Sequence, residues 1–361
     1  MPLSRCDLAE FDRIAPEWDR LAASGGSPFL TSAWLASWWR AFAAEEGVAL
    51  VLRAEDGALL AGGCFLEAGR GALRAATNAH TNDWGIVARD RESRQRFWAE
   101  LAGLGHRKVG LEQLPDDEAG PVSAPRRALS SAGYWVAEES LEASPWMELP
   151  GSLEELLAGR SRNLRSQVGR RRRKLAGEGD LSLRVVEGGP TLGADLDAFF
   201  ALEAAGWKGG EGTAIAADPA LLDLYRGFAK AAAAGGWLRL YMLELNQSLV
   251  AADYGCVFDG CGYLIKTAFD EDLAQFAPGL VLRAGVLESS IGEGLASYDF
   301  LGGPDEYKLR WTDRLRERAA LYAWGGRGAA LPYTWRSRVR PGLKQARDLA
   351  RNRIPGRGRR R

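Results

Sequence analysis

The pattern of apolar and polar positions predicts helices and strands along almost the whole chain. In residues 29–43, FLTSAWLASWWRAFA, large apolar residues recur at the spacings of an amphipathic helix. These residues are Trp34, Leu35, Trp38, Trp39 and Phe42. Strand-like runs and helical runs then alternate. The strands are predicted at 48–53, 59–66, 72–77, 84–87, 109–114, 134–136 and 146–149, and the helices at 92–104 and near 126–131.

After a break at Pro150-Gly151-Ser152, the second part of the chain follows a similar broad order. Helices are predicted at 160–175, 192–205 and 219–234, and strands at 181–186, 237–245, 249–257 and 262–269. A Pro278-Gly279 turn then opens a helix to about 293, followed by strands at 298–301 and 319–323. We therefore predict an α/β (α+β) fold with domains at 1–150 and 151–330 and a basic tail at 331–361.

Composition indicates a globular protein, and the charge is unevenly distributed. The 361 residues are 46% hydrophobic and 26% charged, with a formal net charge of zero. Residues 336–361 contain 11 Lys/Arg and one acid, a net +10, so the other 335 residues sum to −10. The tail is either a solubilising segment or a peripheral contact with an anionic membrane face, a polyanion or a synthase complex.

Several classes of protein are disfavoured by the same composition. The N-terminal stretch MPLSRCDLAEFDR contains acids and lacks the apolar core of a signal peptide, and no uncharged apolar run is long enough to span a bilayer. We therefore expect a cytoplasmic protein. With four cysteines outside CxxC spacing and two histidines, the usual zinc ligand sets cannot be assembled, so we expect no metal.

The segment 276–311 carries the strongest functional signal. A Pro-Gly turn starts a helix between two predicted strands, and the first N–H groups of a helix form a site for an anion such as a pyrophosphate. One such contact contributes about 0.3 to 2 kcal/mol, whereas micromolar binding needs about 8 kcal/mol. Other contacts must supply the rest. The alternative is a plain turn before a core helix.

The same region resembles the GNAT-type acyltransferases of the CelD/BcsL group, which are related to the FemAB aminoacyltransferases. The resemblance is carried, in order, by RNLRSQVGRRRRKL, GWKGGEGTAI, GWLRLYMLEL, LIKTAFDEDLAQFAPG and DFLGGPDEYKLRWT. PFLTSAWLASWW and the NDWG stretch match more loosely in the first part. The resemblance implies two GNAT-like domains, each with a mixed, mostly antiparallel sheet flanked by helices.

The resemblance also implies acyl-CoA, acetyl-CoA first, as co-substrate. In the superfamily, the strand before the pyrophosphate helix presents backbone amides to the acyl donor, and the following loop usually has the pattern Q/R-x-x-G-x-G/A. Here that loop matches at its first Gln and one Gly, and the second Gly is missing. The implied donor site comprises Tyr263, Gln275, Pro278, Gly279, Leu280 and Arg283.

Three charged residues are candidates for the chemistry. A carboxylate can take the proton from an attacking amine, and we consider Asp253 first and Asp299 second. Either could instead be a structural acid bound to Arg or to a backbone N–H. Lys266 stands in an apolar strand, where it could bind phosphate, polarise the acyl carbonyl, or form a salt bridge with Asp253.

The acceptor site is predicted from three further segments. Arg165 lies in a run of eight cations without an acid between residues 160 and 174, which suits either a solvated helix or a cradle for an anionic substrate, coenzyme phosphate or RNA. The Gly-rich loop that contains Trp207, Lys208 and Glu211 is either a lid at the acceptor site or a plain surface loop. After Gly302-Gly303, related families hold a Lys near the cleft. The implied residues are Trp207, Lys208, Glu211, Lys308 and Trp311.

These expectations converge on an acyltransferase. It would move an acyl group from acyl-CoA to an amine or hydroxyl of a cell-envelope polysaccharide or its precursor, without a covalent enzyme intermediate. The first alternative is a FemAB-like transferase that uses aminoacyl-tRNA, with the cation run meeting the RNA backbone. The second is a scaffold that acts without chemistry and docks through its basic tail.

Overall fold

A continuous sheet of 13 strands runs through the computed structural model, which describes residues 2–43, 45–115, 122–206 and 214–326. The strands are β1 (Ser4–Cys6), β2 (Gly47–Arg53), β3 (Leu59–Ala68), β4 (Ala72–Ala75), β5 (Val87–Ala88), β6 (Lys108–Pro115), β7 (Trp135–Glu148), β8 (Leu181–Val186), β9 (Leu238–Leu245), β10 (Ser248–Phe258), β11 (Cys261–Phe269), β12 (Ser297–Asp299) and β13 (Leu315–Trp324).

Helices cover both faces of this sheet, and local sequence determines where several of them begin. Thr31 caps the helix predicted at 29–43 through its side chain, and Pro219 and Pro278 each occupy a first helical position. The helices are α1 (Leu8–Ala22), α2 (Ser32–Phe42), α3 (Arg91–Gly103), α4 (Ser123–Ser131), α5 (Leu153–Ala158), α6 (Arg162–Ala176), α7 (Leu192–Ala205), α8 (Pro219–Ala234), α9 (Pro278–Gly292) and α10 (Glu306–Leu309).

The strand order is β1-β2-β3-β4-β6-β13-β7-β12-β11-β10-β9-β8, with β5 paired to β3. Only β4 with β6 and β11 with β12 run parallel among the pairs of the described residues; the rest are antiparallel. In each parallel pair the two strands are joined through a helix, as a parallel connection requires. The predicted fold class, a mixed and mostly antiparallel sheet flanked by helices, is confirmed.

Two features differ from the sequence-based expectation. Residues 134–136 and 146–149, predicted as separate strands, are joined in the single strand β7, whose middle is polar and therefore lacks an apolar signal. The final strand β13 lies between β6 and β7, so it joins the part of the sheet built by the first 150 residues. The division at residue 150 stays a prediction.

Three buried clusters hold the layers together. One lies between the sheet and α3 and α4, and another lies between the sheet and α5, α6 and α9. The third combines α1 and α2 with α7 and α8, so it is shared by residues 2–150, called here the first half, and residues 151–326, the second half. At its centre Trp34 and Phe228 pack edge to face, with ring centroids 5.1 Å apart.

In the described part of the chain, the helices are too short or too polar to cross a membrane. No group of three or more His, Cys, Asp and Glu side chains in those residues is arranged to hold a metal ion. The four cysteines are free thiols and are buried.

Candidate active site

The strand–helix–strand unit β11–α9–β12 forms the wall of the candidate site. A 3₁₀ turn over Glu271–Phe276 leads into Ala277, whose φ of 54° is left-handed, and α9 begins at Pro278. Ala277 provides no side-chain cap, and proline has no N–H. The first amide of the helix that bonds back to the preceding turn is that of Leu280, which donates to Ala277 O at 3.0 Å. The amide of Gly279 comes before that bond and is therefore available at the positive end of the helix dipole.

A cleft of about 650 Å³ opens at this helix start. Its other walls come from the end of β11, the end of α7 and the segment around α10. Five of the predicted site residues line it: Pro278, Gly279, Leu280, Arg283 and Trp311. A Cβ atom added at Gly279 would meet nothing closer than Phe269 at 3.7 Å, so the cleft is open beside the helix start.

A larger groove of about 1010 Å³ lies elsewhere, between α1, α2 and α8. Ala33, Ala36, Gly227 and Ala231 are among the small residues on its floor, and none of the predicted site residues lines it. The cleft at α9 is therefore the one that sequence and structure both indicate.

Strand β11 carries a β-bulge next to this cleft. Tyr254 pairs with Lys266 and Gly255 pairs with Leu264, so Ile265 is an extra residue in the ladder. A bulge interrupts the ladder and redirects the backbone. The strand expected to present amides to an acyl donor is therefore irregular at its middle.

Asp253 is bound to Arg283 beneath α9. Arg283 Nη1 lies 2.7 Å from Asp253 Oδ2, both side chains are buried, and Arg283 also donates to Tyr298 Oη at 2.8 Å. Burial raises the pKa of Asp253, and the Arg283 cation opposes that shift. These are the contacts of the structural alternative for Asp253. The guanidinium of Arg283 is committed to the same pair, and the catalytic role of Asp253 stays a prediction.

Asp299 has the same kind of surroundings at the end of β12. Arg316 Nη1 lies 2.6 Å from Asp299 Oδ2, and Leu301 N–H donates to Asp299 Oδ1 at 2.8 Å. Burial raises the pKa of Asp299, and the Arg316 charge lowers it. The carboxylate thus orients the turn after β12, and its role as a base also stays a prediction.

The side chains of Lys266 on β11 and Asp253 on β10 point to opposite faces of the sheet. Thr267 is the residue paired with Asp253, and neighbouring residues of a strand point to opposite faces. The salt bridge between Lys266 and Asp253 that the sequence left open is therefore not formed. The ammonium of Lys266 stands 5.7 Å from the ring centroid of Tyr225.

Lys308 organises the turn between β12 and α10. Its Nζ donates to Leu301 O at 2.9 Å and Gly303 O at 3.0 Å, and it lies 2.8 Å from Asp305 Oδ2. Burial lowers the pKa of Lys308, and the contact with Asp305 opposes that. The turn lies next to Asp305 and Tyr307, which line the cleft. Lys308 therefore supports the cleft wall without lining the cleft itself.

Of the other predicted residues, the structure describes Tyr263, Gln275 and Arg165, none of which lines the cleft. Tyr263 donates its hydroxyl to Gly26 O of the first half at 2.5 Å, and burial raises its pKa. Gln275 contributes its carbonyl, which accepts a hydrogen bond from Arg171 of α6. Arg165 is exposed on the same helix. Trp207, Lys208 and Glu211 lie outside the described residues.

The sequence analysis missed three groups at the junction of the two halves. His80 Nδ1 lies 3.0 Å from Tyr225 Oη. Burial raises the pKa of Asp83 to about 6. The positive charge of Arg316 lowers this pKa, and the negative charge of Asp299 raises it. The loosely matching NDWG stretch contains Asp83 and was the available signal, whereas nothing local indicates that His80 meets Tyr225.

Comparison with known proteins agrees with the fold and indicates an acetyltransferase (GNAT) domain in part of the chain. Residues 162–309 match the family model of the acetyltransferase (GNAT) domain. No curated protein matches the chain. Among solved structures, FemX is similar over 89% of this chain and 97% of its own, with a TM-score of 0.60 and 12% identity.

Two further structures have similar folds. The C-terminal DUF2156 domain of an Agrobacterium fabrum protein assigned as a lysylphosphatidylglycerol synthetase matches 90% of this chain and 95% of its own, with a TM-score of 0.58 and 15% identity. L-PGS from Bacillus licheniformis matches 88% of this chain and 93% of its own, with a TM-score of 0.54 and 12% identity. At these identities the likeness concerns the fold. Residues 162–309, which match the acetyltransferase (GNAT) model, include most of the residues that line the cleft.

Proposed function

We propose that the chain transfers an acyl group, acetyl first, from acyl-CoA to an amine or hydroxyl of a cell-envelope polysaccharide or its precursor. The observation that carries the proposal is the uncapped start of α9, which faces a 650 Å³ cleft beside a bulged strand. The envelope acceptor rests on the resemblance to the CelD/BcsL group.

The donor would lie along β11 with its pyrophosphate at the helix start. The amide of Gly279 and the positive end of the α9 dipole suit that anion. Cations of α6 add to the field, because Arg171 binds the carbonyl of Gln275 and Lys174 Nζ lies 4.7 Å from the Phe276 ring centroid. Together these contacts can supply the affinity that one helix start lacks.

The transfer itself needs a polarised thioester and a base. Backbone N–H groups of β11 near Ile265 would hold the carbonyl oxygen, with Lys266 close by. The acceptor nitrogen or oxygen attacks the carbonyl carbon, the new C–N or C–O bond replaces the C–S bond, and the acceptor proton ends on the coenzyme A sulfur. Asp253 and Asp299 are the predicted bases, although each already holds an arginine.

A FemAB-like reaction with aminoacyl-tRNA is the second candidate. Arg162, Arg165, Arg170 and Arg173 are exposed on α6, which packs against α9 beside the cleft. An exposed cation row of this kind suits a phosphate backbone. The third candidate, a scaffold, relies on contacts of the basic tail 331–361 with the inner membrane face or a synthase complex, and that tail lies outside the described residues.

Isothermal titration of acetyl-CoA tests the proposal. Wild type should bind at micromolar concentration, and Gly279→Glu should abolish the heat, because it places a carboxylate where the pyrophosphate would lie. Arg91→Glu is the matched control, since it puts the same charge in the first turn of α3 and should leave binding unchanged.

A non-hydrolysable aminoacyl-RNA mimic separates the candidates. If acetyl-CoA gives no heat while the mimic binds with a steep salt dependence, the tRNA-dependent reaction replaces the proposal. If neither ligand binds, the scaffold becomes the leading explanation.

A further inference from the structure

Helix α6 presents a row of cations to the solvent. Its buried residues form one stripe that packs into the cluster shared with α9, and they are Leu164, Val168 and Leu175. The helical repeat places four exposed arginines on the side of α6 opposite this stripe. These arginines, called here the α6 row, are Arg162, Arg165, Arg170 and Arg173. The row therefore carries four like charges along one face of the helix.

The rest of the fold does not neutralise the α6 row. The neighbouring cations Arg160 and Arg172 are paired, with Asp313 at 3.5 Å and with Glu288 at 3.4 Å. Among the residues that the structure describes, no acid pairs with an arginine of the row. Like charges along a helix repel one another, so the row becomes favourable beside an anionic surface.

The C-terminal half of α6 borders the turn that leads into the cleft. Arg171 Nη1 donates to Gln275 O, and Lys174 Nζ lies 4.7 Å from the ring centroid of Phe276. The same 3₁₀ turn lines the cleft through Glu271 and Ala274. The α6 row itself does not line the cleft, but only this turn separates its helix from the cleft.

Exposed apolar side chains gather at the same cleft. In the described part of the chain five large apolar side chains are exposed, and four of them lie between residues 269 and 315. Phe269 and Tyr307 line the cleft, so their exposure places them at its mouth. Leu309 ends α10 and Leu315 begins β13, on either side of Trp311 of the cleft wall in the chain. Exposed apolar groups that gather at one site indicate a binding surface.

The combination of cations and aliphatic side chains favours a bilayer over RNA. A phosphate backbone attracts the α6 row, and bases can stack on Phe269 or Tyr307, but leucine offers no stacking face. A bilayer with anionic headgroups attracts the cations and also accepts aromatic and aliphatic side chains at its interface. It therefore accounts for Leu309 and Leu315 as well as for the row.

We propose that the α6 row and the apolar side chains at the cleft mouth bind the surface of a bilayer that contains anionic phospholipids. The row supplies the electrostatic attraction, and Tyr307, Leu309 and Leu315 enter the headgroup region. The cleft thus opens at the membrane surface. This inference goes beyond the proposed transfer, because it concerns where the cleft is held and needs neither a donor nor an acceptor.

Cosedimentation of the full chain with lipid vesicles tests the cationic part. Wild type should bind vesicles of phosphatidylcholine mixed with phosphatidylglycerol, should not bind phosphatidylcholine alone, and should bind less as salt rises. Arg165→Gln/Arg173→Gln should weaken binding about 30-fold, since each cation near such a surface contributes about fivefold. Arg13→Gln/Arg20→Gln is the matched control. It removes the same charge from α1, which packs on the other face of the sheet, and should bind as wild type.

The apolar part is tested with the same vesicles at high salt, where the electrostatic attraction is screened. Leu309→Ser/Leu315→Ser should weaken binding about tenfold, since two partly exposed leucines no longer leave water. Leu104→Ser changes an exposed leucine outside the cleft and should bind as wild type. Because all three leucines are exposed, urea unfolding of these variants should match that of wild type.

Three results would overturn the inference. The first is wild type that does not bind the anionic vesicles, and salt-sensitive binding of transfer RNA by the α6 row would then make the row an RNA site. The second is an Arg165→Gln/Arg173→Gln chain that binds vesicles as wild type does, which would assign the contact to the basic tail 331–361. The third is wild-type binding by Leu309→Ser/Leu315→Ser, because the cleft mouth would then not meet the bilayer. None of these results depends on whether acetyl-CoA binds.

Discussion

The two halves of the molecule contain the same local arrangement with different helix starts. In each, two parallel strands are joined through a helix, β4–α3–β6 in the first half and β11–α9–β12 in the second. Asp90 caps α3, with its side chain accepting from Ser93 N–H at 2.7 Å, whereas α9 has no side-chain cap. An anion site thus depends on whether the helix start is already satisfied by its own carboxylate.

The segments that precede the two helices differ as well. In the second half a short 3₁₀ turn leads directly into α9 and leaves the cleft open. In the first half a longer loop carries His80 to Tyr225 and Asp83 to the neighbourhood of Arg316. The segment before α9 thus lines the cleft, whereas the loop after β4 joins the two halves of the molecule.

The layers beneath the two helices provide a third contrast. Both helices pack into apolar clusters, α3 through Phe97 and Trp98, but α9 also buries the ion pair between Arg283 and Asp253. A buried pair of this kind is sensitive to the loss of one partner, because the other charge is left without compensation.

The largest effect is therefore expected for Arg283→Met. It should lower the free energy of unfolding by about 3 to 5 kcal/mol, since Asp253 would remain buried and unpaired. Urea unfolding measures this, with Arg96→Met on the exposed side of α3 as control. The double variant Arg283→Met/Asp253→Leu should recover much of the loss. Equal losses in the single and double variants would show that the pair is not what α9 depends on.

Lys308→Met should have the next largest effect. Loss of its donors leaves the carbonyls of Leu301 and Gly303 without their partner, at a cost of about 2 to 3 kcal/mol. The turn at the cleft should loosen, so acetyl-CoA titration should also show weaker binding. Lys230→Met, at an exposed lysine of α8, is the control. A fully stable Lys308→Met with normal binding would contradict the role of Lys308 as the support of this turn.

Asp83 should produce a smaller effect whose size depends on pH. Its pKa is raised from 3.8 to about 6, so the folded state holds this proton more tightly than the unfolded chain. The contribution of Asp83 therefore disfavours folding increasingly as the pH rises from about 4 to about 6, and stays constant above. Relative to wild type, Asp83→Asn should gain about 1 to 3 kcal/mol between these limits.

Urea unfolding of both proteins at pH 4.5 and pH 7.5 measures that difference. The comparison between the two pH values removes any loss of hydrogen bonds that is common to both. A difference that stays constant or shrinks toward pH 7.5 would mean that the carboxyl of Asp83 is not held in the junction.

The sequence predicted the helices, turns and strands that are determined by residues close together in the chain. The helix with Trp34 and Trp38, the Pro278-Gly279 start and the strands predicted at 249–257 and 262–269 all follow from periodicity and turn chemistry, and each is found. The insertion of β13 between β6 and β7 depends on pairing between distant segments, for which local pattern has no signal.

The candidate site shows the same limit. The turn before the helix and the resemblance together indicated Gly279 and Leu280, and both line the cleft, while their role in binding a donor stays a prediction. Asp253 was selected as a carboxylate that could take the proton of the acceptor, but no local feature tells whether its partner is a substrate or Arg283. The contact between His80 and Tyr225 was not predicted, because only the tertiary fold brings the two residues together.

The smallest effect tests the opening contrast directly. Asp90→Ala removes the cap of α3 and should cost about 1 kcal/mol in the free energy of unfolding, since the Ser93 amide loses its acceptor. The number of acetyl-CoA molecules bound per chain should stay at one, because the first half lacks the open turn that leads into α9. Titration calorimetry of this variant counts the sites, with Asp90→Ser, which retains a capping oxygen, as control. A second site appearing in Asp90→Ala would mean that the capping carboxylate alone separates the two halves.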